Sequence, residues 1–322
     1  MARIVCLGEG MVELSNEAGA WSVGFGGDTL NTAIHLARAG HDVAYLTAIG
    51  NDAFSRTLRA AWEAEGIDCD LVLTHPTRQV GLYAIATDAA GERSFGYWRD
   101  TSAARALFEL EAAEATLLIA EKADLLCFSL ISLAILPPEG RERLLRLAAG
   151  VRARGGRVAF DGNYRARLWE SPEAAAHWRD RAIATASFGL PTLEDEAAIA
   201  RDNGASDECE HRAAQVEAHW QSLGCSEVIV KLGARGCRLP DGEDCPVPQV
   251  LHPVDTSGAG DAFNGGYLGA RMNDAPIIEA AKAGHALAGW NVMRKGAIPC
   301  WDGDAPYVSC QEVRYLAPRN FL

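Results

Sequence analysis

Short strands rich in β-branched residues alternate with alanine-rich helical stretches, and this alternation constrains the fold more than any other feature of the sequence. Strands separated by helices of this length predict parallel βαβ units with helices on both faces of the sheet. In such sheets the ligand binds at the carboxyl ends of the strands. The predicted strands cover residues 3–10, 42–50, 123–130, 157–163 and 226–233. The predicted helices cover residues 28–40, 54–66, 140–155 and 173–186, and further helices close the chain. The first of these helices runs from an Asp cap to a Gly stop.

Two segments lack this alternation of strands and helices. Residues 10–27 and 70–100 show strand-like alternation with turn signals and no intervening helix, and DAAGER at 88–93 predicts a hairpin turn. We therefore expect a single domain over residues 1–322 whose main sheet is mostly parallel, with a small antiparallel β lid formed by about 11–23 and 71–102. Such a lid can cover a site, form a dimer surface, or do both, and a homo-oligomer is expected.

Composition excludes several classes of function. The 322-residue chain carries a net charge of −13 and no run of basic residues, which argues against binding nucleic acid or an anionic membrane. Its nine cysteines include no C-x-x-C pair, so neither a zinc site nor a disulfide framework is expected. The amino-terminal residues read as a buried strand rather than a signal peptide, and no apolar run is long enough to span a membrane. These features predict a cytoplasmic protein.

The stretch DTSGAGDAFNGG, residues 255–266, contains the candidate catalytic and anion-binding residues. Small residues at Gly258, Ala259 and Gly260 let backbone N–H groups converge at the start of a helix, where the helix dipole favours an anion. Asp261 then lies in the first turn, placed to take a proton from an attacking hydroxyl during phosphoryl transfer. The plainer alternative is that Asp261 only caps the helix. Neither a Walker A loop nor a complete G-x-G-x-x-G motif is present.

This stretch resembles the carboxyl-terminal signature of the PfkB (ribokinase-like) carbohydrate kinases, D-T-x-G-A-G-D. Residues 24–40, GFGGDTLNTAIHLARAG, resemble the amino-terminal signature of the same family. The resemblance implies a ribokinase-like α/β fold, with Asp261 as the catalytic base and the amides of residues 258–260 as the anion hole. It further implies that Gly26, Gly27 and Asn31 contact the sugar.

The resemblance also implies ATP and Mg²⁺ as cofactors. The stretch VIVKLGARGC makes Lys231, Gly233 and Gly236 expected neighbours of the nucleotide together with Thr256, although Lys231 could equally be a solvated strand end. Asp255 and Thr256 match positions that ligate a monovalent cation such as K⁺ in many members, or they are plain turn residues. Where the family carries N-x-x-E to organise Mg²⁺ through water, this chain has LPTLEDEA, so either Glu194 or Asp195 is the candidate.

Arginines point to the substrate. Tyr97 and Arg99 lie on one face of a predicted strand, and Arg165 and Arg167 follow the strand that ends at Asp161. An arginine fork matches a carboxylate, although these arginines could instead pair with acidic side chains of the protein. GGDTLNTA, YWRDTSAAR and DGNYRARLW resemble the members of the family that phosphorylate 2-keto-3-deoxygluconate. That resemblance implies that Tyr97, Arg99 and Arg165 bind the carboxylate and keto end, and that Tyr83 and Asp28 contact hydroxyls.

The implied reaction transfers the γ-phosphoryl group of ATP to the 6-hydroxyl of this acidic sugar. Two alternatives remain at this stage. One is a kinase of the same family that acts on a neutral sugar such as fructose. The other is a sugar- or nucleotide-binding regulator without turnover, since a fold alone does not guarantee a function.

Overall fold

The computed structural model describes residues 2–17, 19–87, 93–201 and 209–307. Seven parallel strands form the central sheet, in the order β11-β10-β9-β8-β1-β4-β5. The chain starts in the middle of the sheet, builds one side through β4 and β5, and then builds the other through β8 to β11. These strands are β1 (Arg3–Leu7), β4 (Asp42–Ile49), β5 (Val72–Thr74), β8 (Leu125–Ser129), β9 (Arg157–Asp161), β10 (Phe188–Leu190) and β11 (Glu227–Val228).

Helices cover both faces of this sheet, as the alternation of elements predicted. Alternate residues of β1 enter separate cores, Ile4 and Cys6 on one face and Val5 and Leu7 on the other, and all four are almost completely buried. The helices are α1 (Asp28–Arg38), α2 (Ala53–Ala64), α3 (Ala113–Ala120), α4 (Leu130–Ile135), α5 (Pro138–Ala153), α6 (Pro172–Ile183), α7 (Leu193–Ala200), α8 (Cys209–Ser222), α9 (Ala259–Met272) and α10 (Ile277–Val292).

A second sheet of four strands forms the lid. Its strands are β2 (Met11–Glu17), β3 (Ala20–Gly26), β6 (Gly81–Thr87) and β7 (Arg93–Trp98), in the order β3-β2-β6-β7. Each hairpin, β2–β3 and β6–β7, is antiparallel, and the two hairpins join through a parallel β2–β6 pair. The turn predicted at 88–93 lies largely outside the described residues.

Three local predictions are wrong. Asp28 does not cap α1 but is its first residue, and Gly27 holds the cap position. Residues 72–74, which alternation assigned to the lid, pair with β4 at the edge of the central sheet. The strand predicted at 226–233 is divided at Ile229, so that β11 stays in the central sheet while β12 (Val230–Lys231) pairs with β13 (Cys237–Arg238) and β14 (Asp244–Cys245) in a small antiparallel sheet.

The strand order fixes where a site can form. Successive connections leave β1 and β8 in opposite directions, so the loops beyond their carboxyl ends diverge and open a crevice. The segment after β1 runs into the lid, and α1 and α9 pack together beside it. Residues that are distant in sequence therefore meet at this edge of the sheet. Across the described part of the chain, no helix is both long and apolar enough to cross a membrane.

Candidate active site

A cleft of about 860 Å³ lies at the carboxyl ends of the central strands, between the lid and the amino-terminal end of α9. Most of the residues singled out in the sequence line this one cleft, although they come from opposite ends of the chain. Glu194, Asp255 and Gly26 are not among its lining residues. The predicted residues that do line it are Gly27, Asp28, Asn31, Tyr83, Tyr97, Arg99, Arg165, Asp195, Lys231, Gly233, Gly236, Thr256, Gly258, Ala259, Gly260 and Asp261.

Asp261 lines the cleft from the first turn of α9. Its side chain is 8% exposed, and its Oδ2 accepts a hydrogen bond of 2.8 Å from Nδ2 of Asn31 on α1. This bond directly joins the two sequence signatures. Asp261 makes no side-chain capping bond to its own helix, because the cap residue is Gly258 and no side chain caps α9. The interpretation of Asp261 as a simple helix cap is therefore wrong.

Burial, followed by the nearby carboxylates of Asp28 and Asp161, raises the pKa of Asp261 to about 8, against the opposing effects of Asn31 and Lys231. Burial also raises the pKa of Asp28, whose charged form is stabilised by a hydrogen bond from Ser129. A carboxyl group whose pKa lies near neutrality is suited to take up and release a proton. The site thus holds a group with the acid–base properties of a general base.

The backbone at the start of α9 is arranged around glycine. Gly258 has a φ of 69°, a left-handed conformation, and a Cβ there would lie 2.7 Å from the carbonyl oxygen of Ala297. Glycine is therefore required at this position. The N–H groups of the first helical turn have no acceptor within the helix, so they can bind an anion. The N–H of Ala259 donates to the Thr256 carbonyl at 3.3 Å, a bond with which an incoming phosphoryl oxygen would compete.

Lys231 is buried beneath this helix start. Its Nζ donates to Asp161 Oδ1 at 2.9 Å and to Asn264 Oδ1 at 3.3 Å, and Asn264 in turn donates to Asp161 Oδ2 at 2.9 Å. A Cβ at Gly260 would lie only 3.7 Å from this ammonium group. The alternative of a solvated strand end is wrong for Lys231. These contacts hold the Lys231 ammonium group in a fixed position next to the proposed anion site, with its charge paired to Asp161.

Two glycines let the lid strands pack closely against neighbouring parts of the chain. A Cβ at Gly26 would collide with the hydroxyl of Tyr83, and one at Gly27 would collide with the backbone oxygen of Glu9. The Tyr83 hydroxyl donates to Glu13, and burial followed by the charge of Glu13 raises the pKa of Tyr83 well above its ordinary value. The sequence signature thus reflects close packing of backbone and side chains.

The arginines differ in how far they are already paired. Arg99, 5% exposed, donates through Nε and Nη2 to Oε2 of Glu9, which is itself 2% exposed. Arg165 donates to the carbonyl of Tyr164 and lies 3.5 Å from Asp195. The alternative that these arginines pair with acidic groups of the protein therefore holds for both Arg99 and Arg165. Arg99 keeps only Nη1 without a hydrogen bond to a described residue.

The two acidic candidates for organising Mg²⁺ differ in their exposure. Asp195 lines the cleft, whereas Glu194 is exposed and lies outside it. Burial raises the pKa of Asp195, and the positive charge of Arg165 lowers it. Asp255 is buried in the turn before α9. Its Oδ1 accepts a hydrogen bond from Ser257 N and its Oδ2 accepts one from Gly296 N, so its carboxylate orders this turn.

Several residues of the site were not identified as functional from the sequence. Glu9, Glu13, Asn163 and Asn264 all contact predicted site residues, with Asn163 donating to Asp28 Oδ2 at 3.3 Å. Their sequence signals are weak: Glu9 lies in the GEG turn after β1, and Asn264 lies three residues after Asp261, inside the stretch 255–266. Their importance depends on tertiary contacts across the lid, the sheet and α9.

Comparison with known proteins identifies relatives along the whole chain. The model of the pfkB family of carbohydrate kinases matches residues 1–303. The chain is 40% identical over 308 residues to the 2-dehydro-3-deoxygluconokinase of Escherichia coli K12, covering 92% of this chain and 96% of that protein.

Two solved structures share the fold. The 2-dehydro-3-deoxygluconokinase of Thermotoga maritima aligns with a TM-score of 0.79 at 21% identity, covering 94% of this chain and 97% of that one. An E. coli ribokinase-type protein, solved in complex with ATP and Mg²⁺, aligns with a TM-score of 0.77 at 21% identity, covering 92% and 95% of the two chains.

Proposed function

The chain belongs to the pfkB family of carbohydrate kinases, and on that premise we propose that it transfers the γ-phosphoryl group of ATP to the 6-hydroxyl of 2-keto-3-deoxygluconate, also called 2-dehydro-3-deoxygluconate. The observation that carries the proposal is that one cleft is lined by Tyr83, Tyr97 and Arg99 of the lid region and by the glycine-rich start of α9, which includes Asp261. The relative that is 40% identical to this chain carries the name of that activity.

In this mechanism Asp261 is the general base. The sugar hydroxyl donates its proton to the Asp261 carboxylate as its oxygen attacks the γ-phosphorus of ATP; the bond from that phosphorus to the β,γ-bridging oxygen breaks, and ADP leaves. A raised pKa favours this transfer, since the proton acceptor is then better matched to the hydroxyl. The hydrogen bond from Asn31 orients the carboxylate, so that the same contact that joins the two signatures also positions the base.

The transferred phosphoryl group gathers negative charge that the start of α9 and Lys231 can stabilise. Backbone amides at a helix start are fixed before the reaction, so they act without reorganisation. Lys231 is held by Asp161 and Asn264 and points its charge toward Gly260. The nucleotide then lies along Gly233, Gly236 and Thr256, which continue the cleft away from the lid.

Asp195 fits the role of organising Mg²⁺. It is a carboxylate that lines the cleft, and oxygen ligands, mostly through water, are what Mg²⁺ prefers. When bound with ATP, Mg²⁺ neutralises phosphate charge.

We assign the monovalent cation position, if the enzyme uses K⁺, to the turn around Asp255, where Asn291 Oδ1 is a buried acceptor without a hydrogen bond to a described residue.

The acidic end of the sugar faces Tyr97 and Arg99, from β7 and the residues just after it, and Arg165, which follows β9; all three line the cleft. The Arg99–Glu9 pair carries no net charge, so Arg99 contributes a hydrogen bond through Nη1 rather than an unbalanced cation.

We also propose that the chain self-associates through the lid face opposite Tyr97, on which Trp21 and Trp98 are 58% and 64% exposed. Light scattering on the wild type and on Trp98→Ser tests this association.

A coupled ATP assay on purified protein tests the function. It compares 2-keto-3-deoxygluconate, its galacto epimer, gluconate, fructose and ribose at equal concentrations with saturating Mg²⁺ and ATP. We expect turnover of the 2-keto-3-deoxy acid to exceed that of fructose and ribose. Activity on fructose alone would leave the kinase family intact and overturn the acidic-sugar proposal. No turnover with any of these sugars, despite ATP binding, would favour the non-catalytic regulator.

A further inference from the structure

Three buried side chains beneath the start of α9 form a closed ring of hydrogen bonds. Nζ of Lys231 donates to Asp161 Oδ1 at 2.9 Å and to Asn264 Oδ1 at 3.3 Å, and Nδ2 of Asn264 donates to Asp161 Oδ2 at 2.9 Å. Lys231 and Asp161 are each 8% exposed, and Asn264 is 2% exposed. The ring therefore joins β9, β12 and α9 at a point from which bulk water is largely excluded.

Asn264 is the member of the ring that does not face the cleft. Lys231 and Asp161 are among the residues that line the cleft, and Asn264 is not. Asn264 lines instead a separate cavity of about 20 Å³, together with core residues such as Cys127 and Ala159. Any effect of its amide group on a ligand in the cleft must therefore pass through Lys231 or Asp161.

The chemistry of its two partners gives the Asn264 amide a single orientation. An ammonium group only donates hydrogen bonds, and an ionised carboxylate only accepts them. The amide oxygen must therefore face Lys231 and the amide nitrogen must face Asp161, and the structure has them in these positions. Aspartate has the same shape as asparagine but would place a second carboxylate beside Asp161, so the ring requires an amide at this position.

The ring leaves one of the three N–H donors of Lys231 uncommitted within the described residues. Asp161 and Asn264 take up the other two, and no other residue in the described part of the chain accepts a hydrogen bond from Nζ. The start of α9 lies beside this ammonium group, since a Cβ at Gly260 would lie 3.7 Å from Nζ. Because Lys231 also lines the cleft, its third N–H is available to a phosphoryl oxygen held by the amides of α9.

Asn264 also limits how strongly Asp161 competes for this ammonium group. A lone carboxylate can draw an ammonium group between its two oxygens and so take up more of its donors. Here Oδ2 of Asp161 is already occupied by the N–H of Asn264, so Lys231 bonds only to Oδ1. Removal of the amide would free Oδ2, and the adjoining cavity of about 20 Å³ is large enough to admit one water molecule to the ring.

We propose that Asn264 is a positioning residue for phosphoryl transfer, which holds Lys231 so that one N–H of its ammonium group faces the transferred phosphoryl group. The proposal rests on the proposed function, because it assumes transfer from ATP. It adds to that function a residue that touches neither substrate and whose effect does not depend on which sugar accepts the phosphoryl group.

A double-mutant cycle tests the proposal with the sugar that the wild type phosphorylates fastest. Asn264→Ala and Asn264→Thr are made in the wild type, and each is also made in a Lys231→Gln background, which removes the ammonium charge but keeps a donor for Asp161. The control is Asn273→Ala, at the exposed carboxyl-terminal end of the same helix. The measurements are kcat/KM for ATP, KM for the sugar, and urea unfolding to show which variants are folded.

For Asn264→Ala we expect kcat/KM for ATP to fall by about 10- to 100-fold, as for the loss of a hydrogen bond to a charged group, while KM for the sugar stays within about twofold. Asn264→Thr should recover part of this loss, because a hydroxyl also both accepts and donates. In the Lys231→Gln background, Asn264→Ala should change kcat/KM by less than about threefold, because the charge on which Asn264 acts is already absent. Asn273→Ala should behave as the wild type.

A purely structural role of Asn264 in the packing of α9 predicts a different result, because its effect would then be the same with and without the Lys231 ammonium group. Calorimetric binding of the non-hydrolysable analogue AMP-PNP repeats the cycle for variants that are too slow to assay, and Asn264→Thr replaces Asn264→Ala if the latter does not fold. Equal effects in the two backgrounds would overturn the role of Asn264 and leave the kinase intact. If the wild type phosphorylates none of the sugars tested, the proposed function falls, and this inference falls with it.

Discussion

At Asp261, burial and neighbouring charge act in the same direction. The carboxyl group lies out of water with Asp28 and Asp161 nearby, and both effects favour its protonated form. Asn31 and Lys231 oppose them, which keeps the pKa at about 8. A base in this range changes its protonation state close to neutral pH, so this one residue links catalysis to pH.

We predict that Asp261→Asn lowers kcat by about 10²–10⁴-fold, because the amide cannot accept the hydroxyl proton. In the wild type, kcat/KM should rise with pH up to about 8, since only ionised Asp261 acts as a base. The measurement is a pH–rate profile of both proteins with 2-keto-3-deoxygluconate. Asp70→Asn, an exposed carboxylate, is the matched control, and unchanged turnover in Asp261→Asn would refute the mechanism.

The same pKa predicts an effect on stability. Between the ordinary carboxyl pKa of about 4 and about 8, the folded protein holds a proton on Asp261 that the unfolded chain has released. The unfolded state therefore binds fewer protons, and the free energy of unfolding falls as pH rises through this window. Asp261→Asn removes this cost, so its stability relative to the wild type should increase from pH 4 to pH 8 in urea unfolding. A constant difference across that range would contradict the raised pKa.

Two adjacent carboxylates on α7 should differ in their response to Mg²⁺. Asp195 lines the cleft and Glu194 is exposed outside it. We predict that Asp195→Asn raises the Mg²⁺ concentration needed for half-maximal activity, whereas Glu194→Gln leaves it unchanged. The measurement is a Mg²⁺ titration at fixed ATP after removal of metal with EDTA. An equal response of the two variants would remove the case for Asp195.

At the scale of elements, the start of α9 depends on one backbone conformation. Gly258 adopts a left-handed conformation directly against the carbonyl of Ala297, in the loop that follows α10. This contact sets how α9 begins and therefore where its free amides point. The motif's first glycine is thus needed for two separate reasons, conformation and space.

Gly258→Ala should suffer from both the left-handed backbone conformation and the lack of space for a Cβ. Gly155 provides the control, because it has a φ of 89° but nothing within 4 Å of an added Cβ. We expect Gly155→Ala to cost about 1–2 kcal/mol from strain alone, and Gly258→Ala to cost more and to lower kcat as well. Urea unfolding and steady-state kinetics measure the two effects. Equal costs and equal activity would show that the contact with Ala297 relaxes freely.

Over the whole molecule, lid and body are joined by a buried ion pair. Glu9 follows β1 of the central sheet and Arg99 follows β7 of the lid, and both side chains are at least 95% buried. Oε1 of Glu9 is also buried and has no hydrogen bond to a described residue. A buried pair is costly to break from one side, because the remaining charge is left without its partner.

We therefore predict that Arg99→Met destabilises the fold by about 3–5 kcal/mol and that the double variant Glu9→Met/Arg99→Met is less destabilised than Arg99→Met alone. A double-mutant cycle in urea measures the coupling. Additive costs would show that the two charges do not depend on each other. The result also bears on kinetics, because a rise in KM for Arg99 variants would combine lost binding with a displaced lid.

The sequence by itself determined the α/β architecture, the separate lid and the two signatures, because periodicity, helix caps and glycine spacing are local properties. It also predicted most of the cleft residues, since parallel strands bring their carboxyl ends to one edge. It did not determine that β12 leaves the central sheet, that Asp195 rather than Glu194 faces the cleft, or that Lys231 is buried. Only the tertiary structure decided these points, and it also decided that Arg99 is neutralised by Glu9 while Arg167 is not paired with an acid among the described residues. The physical reason is that burial and charge pairing depend on which distant side chains meet, and one residue's neighbours in the chain do not specify them.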